Sequence, residues 1–171
     1  NSLVCQVLLD WGTDAQKSKF LNPLASGLKL GAYSLSEPQS GSDASNMKTF
    51  AEKNGNNFIV NGTKNWVTSG ENSDLIIFFC KTEKGAGSKG ISAFIIEKGT
   101  PGLTTGKKEE KLGIRASDTC ELYFDNCEIP ESNLIGNLGQ GFSIAMQALG
   151  GGRIGIASQS VGLARAALDQ T

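Results

Sequence analysis

Leu75-Ile76-Ile77-Phe78-Phe79-Cys80 is six apolar residues in a row, with no polar position on either alternate. A half-exposed strand alternates apolar with polar residues, whereas a strand covered on both faces reads as a continuous apolar run. Six residues between Asp74 and Lys81 is strand length rather than helix length. The run predicts a central strand, packed within a sandwich or barrel rather than at its rim. Working outward, residues 32–36, 47–53, 57–61, 63–68, 91–97, 103–105 and 120–125 are short stretches rich in β-branched or aromatic side chains, separated by Gly, Asn, Ser or Pro clusters. Together they predict a sheet of about eight strands. Asn61-Gly62, directly after Phe58-Ile59-Val60, predicts a hairpin turn, because both residues tolerate positive φ. Gly85 to Gly90 reads as a flexible connection and Gly99-Thr100-Pro101-Gly102 as a tight one.

The period changes on both sides of this sheet. Residues 1–10 place Leu3, Val4, Val7 and Leu8 at helical spacing with no start signal ahead of them. Thr13-Asp14-Ala15-Gln16 has the form of a capping box, opening a second helix that turns Phe20, Leu21 and Leu24 inward, bends or ends near Pro23 and stops at Gly27. From Gly139 onward the helical period returns with Phe142, Ile144, Ala145, Met146 and Leu149, and continues from Ile154 to Leu168. Gly150-Gly151-Gly152 interrupts it. Each glycine costs about 1 kcal/mol relative to alanine inside a helix, so a break or a close backbone approach is expected there. The reading is α+β: a middle β-sandwich or barrel domain over residues 31–138, flanked by the end of an N-terminal helical domain (1–30) and the start of a C-terminal helical domain (139–171). Helix, sheet, helix, with no start signal at one end and no C-cap at the other, reads as the middle of a larger protein.

Composition narrows the chemistry. Histidine is absent, which excludes a Ser-His or Cys-His nucleophile pair, a His-ligated zinc site and a His general base within these residues. A net charge of −1 from 16 basic and 17 acidic residues gives no field to gather nucleic acid or anionic membrane. Cys5, Cys80, Cys120 and Cys127 show no CxxC pair and read as small buried hydrophobes in a reducing compartment. No apolar run approaches the roughly 18 residues that span a bilayer, and no signal peptide is visible.

Two polar clusters stand out. Tyr33-Ser34-Leu35-Ser36-Glu37-Pro38-Gln39-Ser40-Gly41-Ser42-Asp43 packs small and hydroxylated residues around one Pro and one Gly, as in a tight loop that presents N–H groups and hydroxyls to an anionic or heteroaromatic ligand. Trp66-Val67-Thr68-Ser69-Gly70 adds an indole and more hydroxyls. On composition alone, ordinary turn hydroxyls and a buried core tryptophan are the favoured explanation of both.

A set of motifs decides between these readings. Leu35-Ser36-Glu37-Pro38 with Gly41-Ser42-Asp43, then Asn61-Gly62-Thr63-Lys64-Asn65-Trp66-Val67-Thr68, Gly90-Ile91-Ser92-Ala93-Phe94, Gly106-Lys107-Lys108-Glu109-Glu110-Lys111-Leu112-Gly113-Ile114-Arg115 and Gly152-Arg153-Ile154-Gly155-Ile156-Ala157-Ser158-Gln159 resemble, in order and spacing, the acyl-CoA dehydrogenases. Within that family the likeness is to the short-chain, butyryl-CoA type. The resemblance extends over essentially the whole chain. It implies an FAD flavoprotein of fatty acid oxidation that converts an acyl-CoA to the trans-2-enoyl-CoA and passes electrons to an electron-transfer flavoprotein, in a homotetramer of the bacterial cytoplasm or mitochondrial matrix.

By the same resemblance, Tyr33, Leu35, Ser36 and Gly41 match the first flavin-contacting segment, and Trp66, Val67 and Thr68 the second. Trp66 is expected against the flavin face away from substrate, Ser36 and Thr68 at its heteroatom edge, and Ser42 near the phosphate-bearing parts of FAD and acyl-CoA. Gly151, Gly152 and Arg153 match the stretch that contacts CoA, where short-chain relatives usually carry an Asp before the Arg. Gln39-Ser40 stand where relatives commonly have a Gly and a small residue. The family's catalytic glutamate lies either late in the C-terminal domain or immediately before the Arg matched by Arg153; here that neighbour is Gly152, so the base is expected beyond Thr171. Two alternatives remain on the sequence: a non-catalytic β-domain serving binding or assembly, and an acyl-CoA oxidase relative, which releases peroxide.

Overall fold

A computed structural model describes all of residues 1–171. The chain begins with α1 (Ser2–Trp11), whose buried stripe is Val4, Val7 and Leu8. Asn1 ties its start to the sheet: its Nδ2 donates to the carbonyls of Leu24 and Lys29, 3.2 Å each, and its Oδ1 accepts from Gly31 N at 2.7 Å. The capping box forms as expected, with Gln16 N donating to Thr13 Oγ1 at 3.2 Å and Thr13 N to Gln16 Oε1 at 3.0 Å. It opens α2 (Asp14–Gln16), a π-helical turn (Lys17–Leu21) and α3 (Asn22–Ala25), so Pro23 enters the helix just after a widened turn rather than inside a regular ladder. Gly27, at φ 76°, ends it.

Eight strands follow: β1 (Gly31–Ser34), β2 (Phe50–Asn54), β3 (Asn57–Thr68), β4 (Leu75–Lys81), β5 (Ile91–Glu97), β6 (Leu103–Lys108), β7 (Thr119–Pro130) and β8 (Leu134–Ile135). They form one sheet in the order β6-β7-β3-β2-β4-β5-β8, with β1 lying parallel to β4. A single residue pair, Phe50 with Lys81, joins β2 to β4. About that joint the sheet folds onto itself. Phe58 of β3 meets Phe94 of β5 with ring centroids 5.0 Å apart, and Phe124 of β7 meets Phe78 of β4 at 4.7 Å, although neither pair of strands is adjacent.

The apolar run is central, for a reason visible in its alternation. Ile76, Phe78 and Cys80 point into the sandwich with Phe58, Val60, Leu122 and Ile129, while Leu75, Ile77 and Phe79 point the other way. That second face is covered by α1, by Phe20 and Leu24, and by Ile144, Ala145 and Ala148 of α4 (Gly141–Asp169). A sandwich on one side and a helical layer on the other leave β4 no wet face.

Three expectations need correction. Asn61-Gly62 is no turn: β3 runs through it, and the hairpin closes earlier, at Gly55-Asn56, with Asn54 paired to Asn57. Gly62 instead marks a bulge against β7, at φ 149°, where an added Cβ would stand 2.7 Å from Thr49 Cα. The expected strands 57–61 and 63–68 are therefore one, and the count of eight is restored by the short β8, two residues too few to carry a strand pattern in the sequence. Finally, Gly150-Gly151-Gly152 do not break α4, which is continuous over 29 residues. Neither proline nor a capping residue stops the ladder, so the glycines lower its stability without changing its path. The alternative expected there, a close approach, holds only for Gly152, where an added Cβ would meet Leu3 Cδ2 at 3.0 Å.

Candidate functional site

The largest concentration of expected site residues lies in an open groove of about 470 Å³ between the start of α1, the loop after β1 and the end of β3. Tyr33, Leu35, Ser36 and Gly41 line one side, Trp66 and Thr68 the other, and Leu3 and Leu149 close one end. Asn65 and Ser69, which lie within the motif and cluster quoted above but carry no expected site role, also line it. Val67 and Ser42 do not. Val67 is 1% exposed and its side chain belongs to the sandwich interior, which keeps it out of the groove. Ser42 is exposed beyond Gly41, outside the lining.

Trp66 faces the groove because β3 is distorted there. Lys64 and Val67 both point inward, and the pairing with β7 shifts register between them. The two intervening residues are thrown outward, with Trp66 at φ 59°, a left-handed conformation that a bulky side chain adopts only when its surroundings impose it. Asn65 Oδ1 accepts from Trp66 N at 2.8 Å and so stabilises that conformation. The indole is left 59% exposed, which rules out the reading of Trp66 as a core tryptophan. The following turn is held by Asp118, which accepts from Glu71 N at 3.0 Å and Asn72 Nδ2 at 2.9 Å, while its carbonyl accepts from Ser69 N at 2.9 Å. Burial alone would raise the Asp118 carboxyl, but these hydrogen bonds hold it below the usual carboxylate range.

The opposite wall is pinned from below. Glu37-Pro38-Gln39-Ser40 is a tight turn, with Glu37 N donating to Ser40 O at 2.9 Å and Ser40 N to Glu37 O at 3.0 Å. The Glu37 carboxylate points into the protein, where Lys64 Nζ lies 2.8 Å from Oε1 and both side chains are almost fully buried. Tyr33 is largely buried, which raises its hydroxyl above the usual range and keeps it a neutral donor, directed at Ala145 O 3.4 Å away. Burial likewise pushes Cys80 up to about 12 and Cys127 to about 11, so these thiols are protonated. All four cysteines are unpaired, and no cluster of three or more Asp, Glu or Cys side chains could hold a metal ion. No carboxylate lines the groove.

Of the residues expected to meet CoA, Gly152 and Arg153 line a neighbouring groove on α4 with Leu3, Leu149 and Ile156, and Gly151 lines a further groove that shares Leu3, Gly152 and Ile156 with it. Leu3 and Leu149 are shared with the first groove, so the two lie end to end.

Comparison with known proteins places this geometry. The model of the acyl-CoA dehydrogenase middle domain matches residues 32–127, and that of the acyl-CoA dehydrogenase C-terminal domain matches residues 139–171. A short-chain specific acyl-CoA dehydrogenase of Megasphaera elsdenii is 50% identical over 168 residues, covering 98% of this chain and 44% of the relative. The mitochondrial short-chain specific acyl-CoA dehydrogenase of Rattus norvegicus is 48% identical over 169 residues, covering 99% and 41%. The solved structure of butyryl-CoA dehydrogenase from Megasphaera elsdenii superposes with a TM-score of 0.96 at 50% identity, over 98% of this chain and 44% of that one. The chain thus spans less than half the length of the curated relatives it matches. With the middle-domain match alone covering more than half of its residues, the chain belongs to the acyl-CoA dehydrogenase family.

Proposed function

We propose that this chain forms one wall of the FAD and acyl-CoA sites of an FAD-dependent acyl-CoA dehydrogenase acting on short-chain substrates. The observation that carries the reading is the groove in which an exposed, backbone-strained Trp66 stands beside Thr68 and across from Leu35 and Ser36. Its residues fit a flavin: a flat apolar indole for the ring face, two hydroxyls for the heteroatom edge and an apolar floor. When bound, FAD supplies the acceptor for the hydride leaving the β-carbon of the acyl group.

The chain's own residues bind and orient. Trp66 and Leu35 exclude water from the ring, and Ser36 and Thr68 aim donors at the edge where negative charge develops. The groove along Gly152 and Arg153 takes the CoA portion, with the glycines offering backbone only and Arg153 a cation for phosphate. The α-proton is removed by a carboxylate outside these 171 residues, in keeping with the absence of any Asp or Glu from both grooves. Residues 1–30, 31–138 and 139–171 are then the end of the N-terminal helical domain, the middle β domain and the start of the C-terminal helical domain. The full enzyme passes its electrons to an electron-transfer flavoprotein, assembles as a homotetramer and works in a bacterial cytoplasm or mitochondrial matrix. No helix is long and apolar enough to cross a membrane.

The test is turnover. The full-length protein, supplied with butyryl-CoA and a dye acceptor, is expected to yield the trans-2-enoyl-CoA, and the bare 171-residue chain with added FAD is expected to yield none. Peroxide production at the rate of substrate loss would replace the dehydrogenase reading with an oxidase one.

A further inference from the structure

The Glu37–Lys64 pair is larger than its apparent task. Three successive residues of the loop after β1 are attached to two successive residues of β3: the Leu35 carbonyl accepts from Lys64 Nζ at 3.0 Å, the Ser36 carbonyl from Asn65 N at 2.8 Å, and Glu37 Oε1 from Lys64 Nζ at 2.8 Å. The next residue of β3 is Trp66. The same carboxylate also gathers the far end of the loop, accepting from Lys48 N at 2.5 Å and from Thr49 N at 3.1 Å, and from Gln39 Nε2 at 2.7 Å. Thr49 is in turn pressed against the bulge at Gly62. One buried carboxylate therefore joins the beginning of a loop, its end and the strand opposite.

Stability does not account for this arrangement. A buried ion pair costs so much desolvation that well-packed apolar residues of the same volume often serve the fold as well or better. Apolar side chains could fill this space, but they could not accept the four donors that converge on the Glu37 carboxylate from fixed directions. What the charged pair provides, together with the Ser36 carbonyl to Asn65 N hydrogen bond, is the relative position of Leu35 and Ser36 on one side of the groove and Trp66 and Thr68 on the other.

We propose that Glu37 and Lys64 are the positioning residues of the flavin site, a buried clamp that sets the separation of the two groove walls and through it the affinity and electronic environment of the flavin. This rests on the reading of the groove as a flavin wall. Neither residue lines the groove, so both act through the segments they hold.

The experiment uses full-length protein with three variants, Glu37→Gln, Lys64→Met and the double variant. Each apoprotein is examined for unfolding midpoint and FAD dissociation constant, and each holoprotein for the visible flavin spectrum. Both single variants are expected to lose stability, since each leaves one buried group without its partner. The double variant is expected to regain much of it, yet all three should bind FAD about tenfold or more weakly, the loss typical when the support of a binding group is removed, and show displaced flavin bands. A double variant that recovers stability together with wild-type affinity and spectrum overturns the clamp and leaves a structural pair. Should these variants fail to fold, Gln39→Ala removes one exposed donor to the same carboxylate, and an unchanged dissociation constant there overturns the clamp as well. Wild-type protein that binds no FAD sinks both the groove reading and the clamp, whereas FAD bound equally by wild type and variants sinks the clamp alone.

Discussion

Two polar loops of this chain differ in structure. The loop at 35–49 is rich in Ser and carries the charged residues Glu37, Asp43 and Lys48, and the loop at 109–118 is rich in charged residues, Glu109, Glu110, Lys111, Arg115 and Asp118. In the first, the one charged side chain that turns inward meets an amine and backbone N–H groups, and the loop lies against the sheet. In the second, only Asp118, at its very end, reaches out of the loop, to Glu71 N and Asn72 Nδ2; the other polar side-chain contacts stay inside it, from Lys111 Nζ to Ser117 O and from Arg115 Nε to Lys111 O. There Leu112 is 99% exposed and Ile114 sits at φ 50°. A loop acquires a fixed path when its backbone groups find buried partners, and composition alone does not say whether they will.

The contrast can be broken most forcefully at Lys64. Lys64→Met leaves the Glu37 carboxylate buried without its ammonium, and denaturant unfolding is expected to show a loss of about 3–5 kcal/mol. A second route acts through shape. Gly62→Ala forces a Cβ onto Thr49 at a φ that L residues rarely adopt, with an expected loss of about 1–3 kcal/mol in the same assay. A loss under about 0.5 kcal/mol there would mean that the loop end gives way to the added methyl group.

Acid gives a gentler handle. Burial on its own would raise the Glu37 carboxyl, but the Lys64 charge and the hydrogen bonds from Lys48, Lys64 and Thr49 outweigh it and hold the group below the usual carboxylate range. A carboxyl depressed in the folded state stabilises fully above its unfolded pKa, about 4.3, and loses that contribution as pH falls through the folded value. Unfolding midpoints are therefore expected to drop more steeply below about pH 4.3 in wild type than in Glu37→Gln, which lacks this group. Equal slopes would remove Glu37 from the account. The smallest effect is expected in the other loop. Leu112→Ser should shift stability by no more than about 0.5 kcal/mol, as is usual for an exposed position. A larger loss in the full-length protein would show that Leu112 is covered there.

Much of this fold is legible from local pattern. The run at 75–80 identifies a strand with no wet face, and Thr13 to Gln16 identifies a helix start, because in each case neighbouring residues carry the whole signal. Asn61-Gly62 misleads since the chain contains a second Asn-Gly at Asn54-Gly55, and only the pairing of β3 with β7 decides which one turns. The site divides along the same line. Trp66, Thr68, Leu35 and Ser36 follow from motif resemblance, whereas the inward turn of Val67 depends on a bulge whose cause is the tertiary pairing of Lys64. That lysine carries no sequence signal of its own: a Lys in a strand reads as a solvated position, and its burial becomes intelligible only when Glu37, 27 residues away, is seen beneath the same loop.

The outward indole at Trp66 also makes the molecule its own optical instrument. Its one companion, Trp11, is half-buried against the helical layer, so the two emit from different surroundings, Trp66 from the more aqueous one. A flavin absorbs where indoles emit, and one seated on the groove wall would quench the Trp66 component by energy transfer at close contact. Occupancy of the site could then be followed in solution without a label, and a Trp66→Phe protein, keeping the apolar surface but not the emitter, would fall silent in that channel while Trp11 continued to report on the integrity of the helical layer.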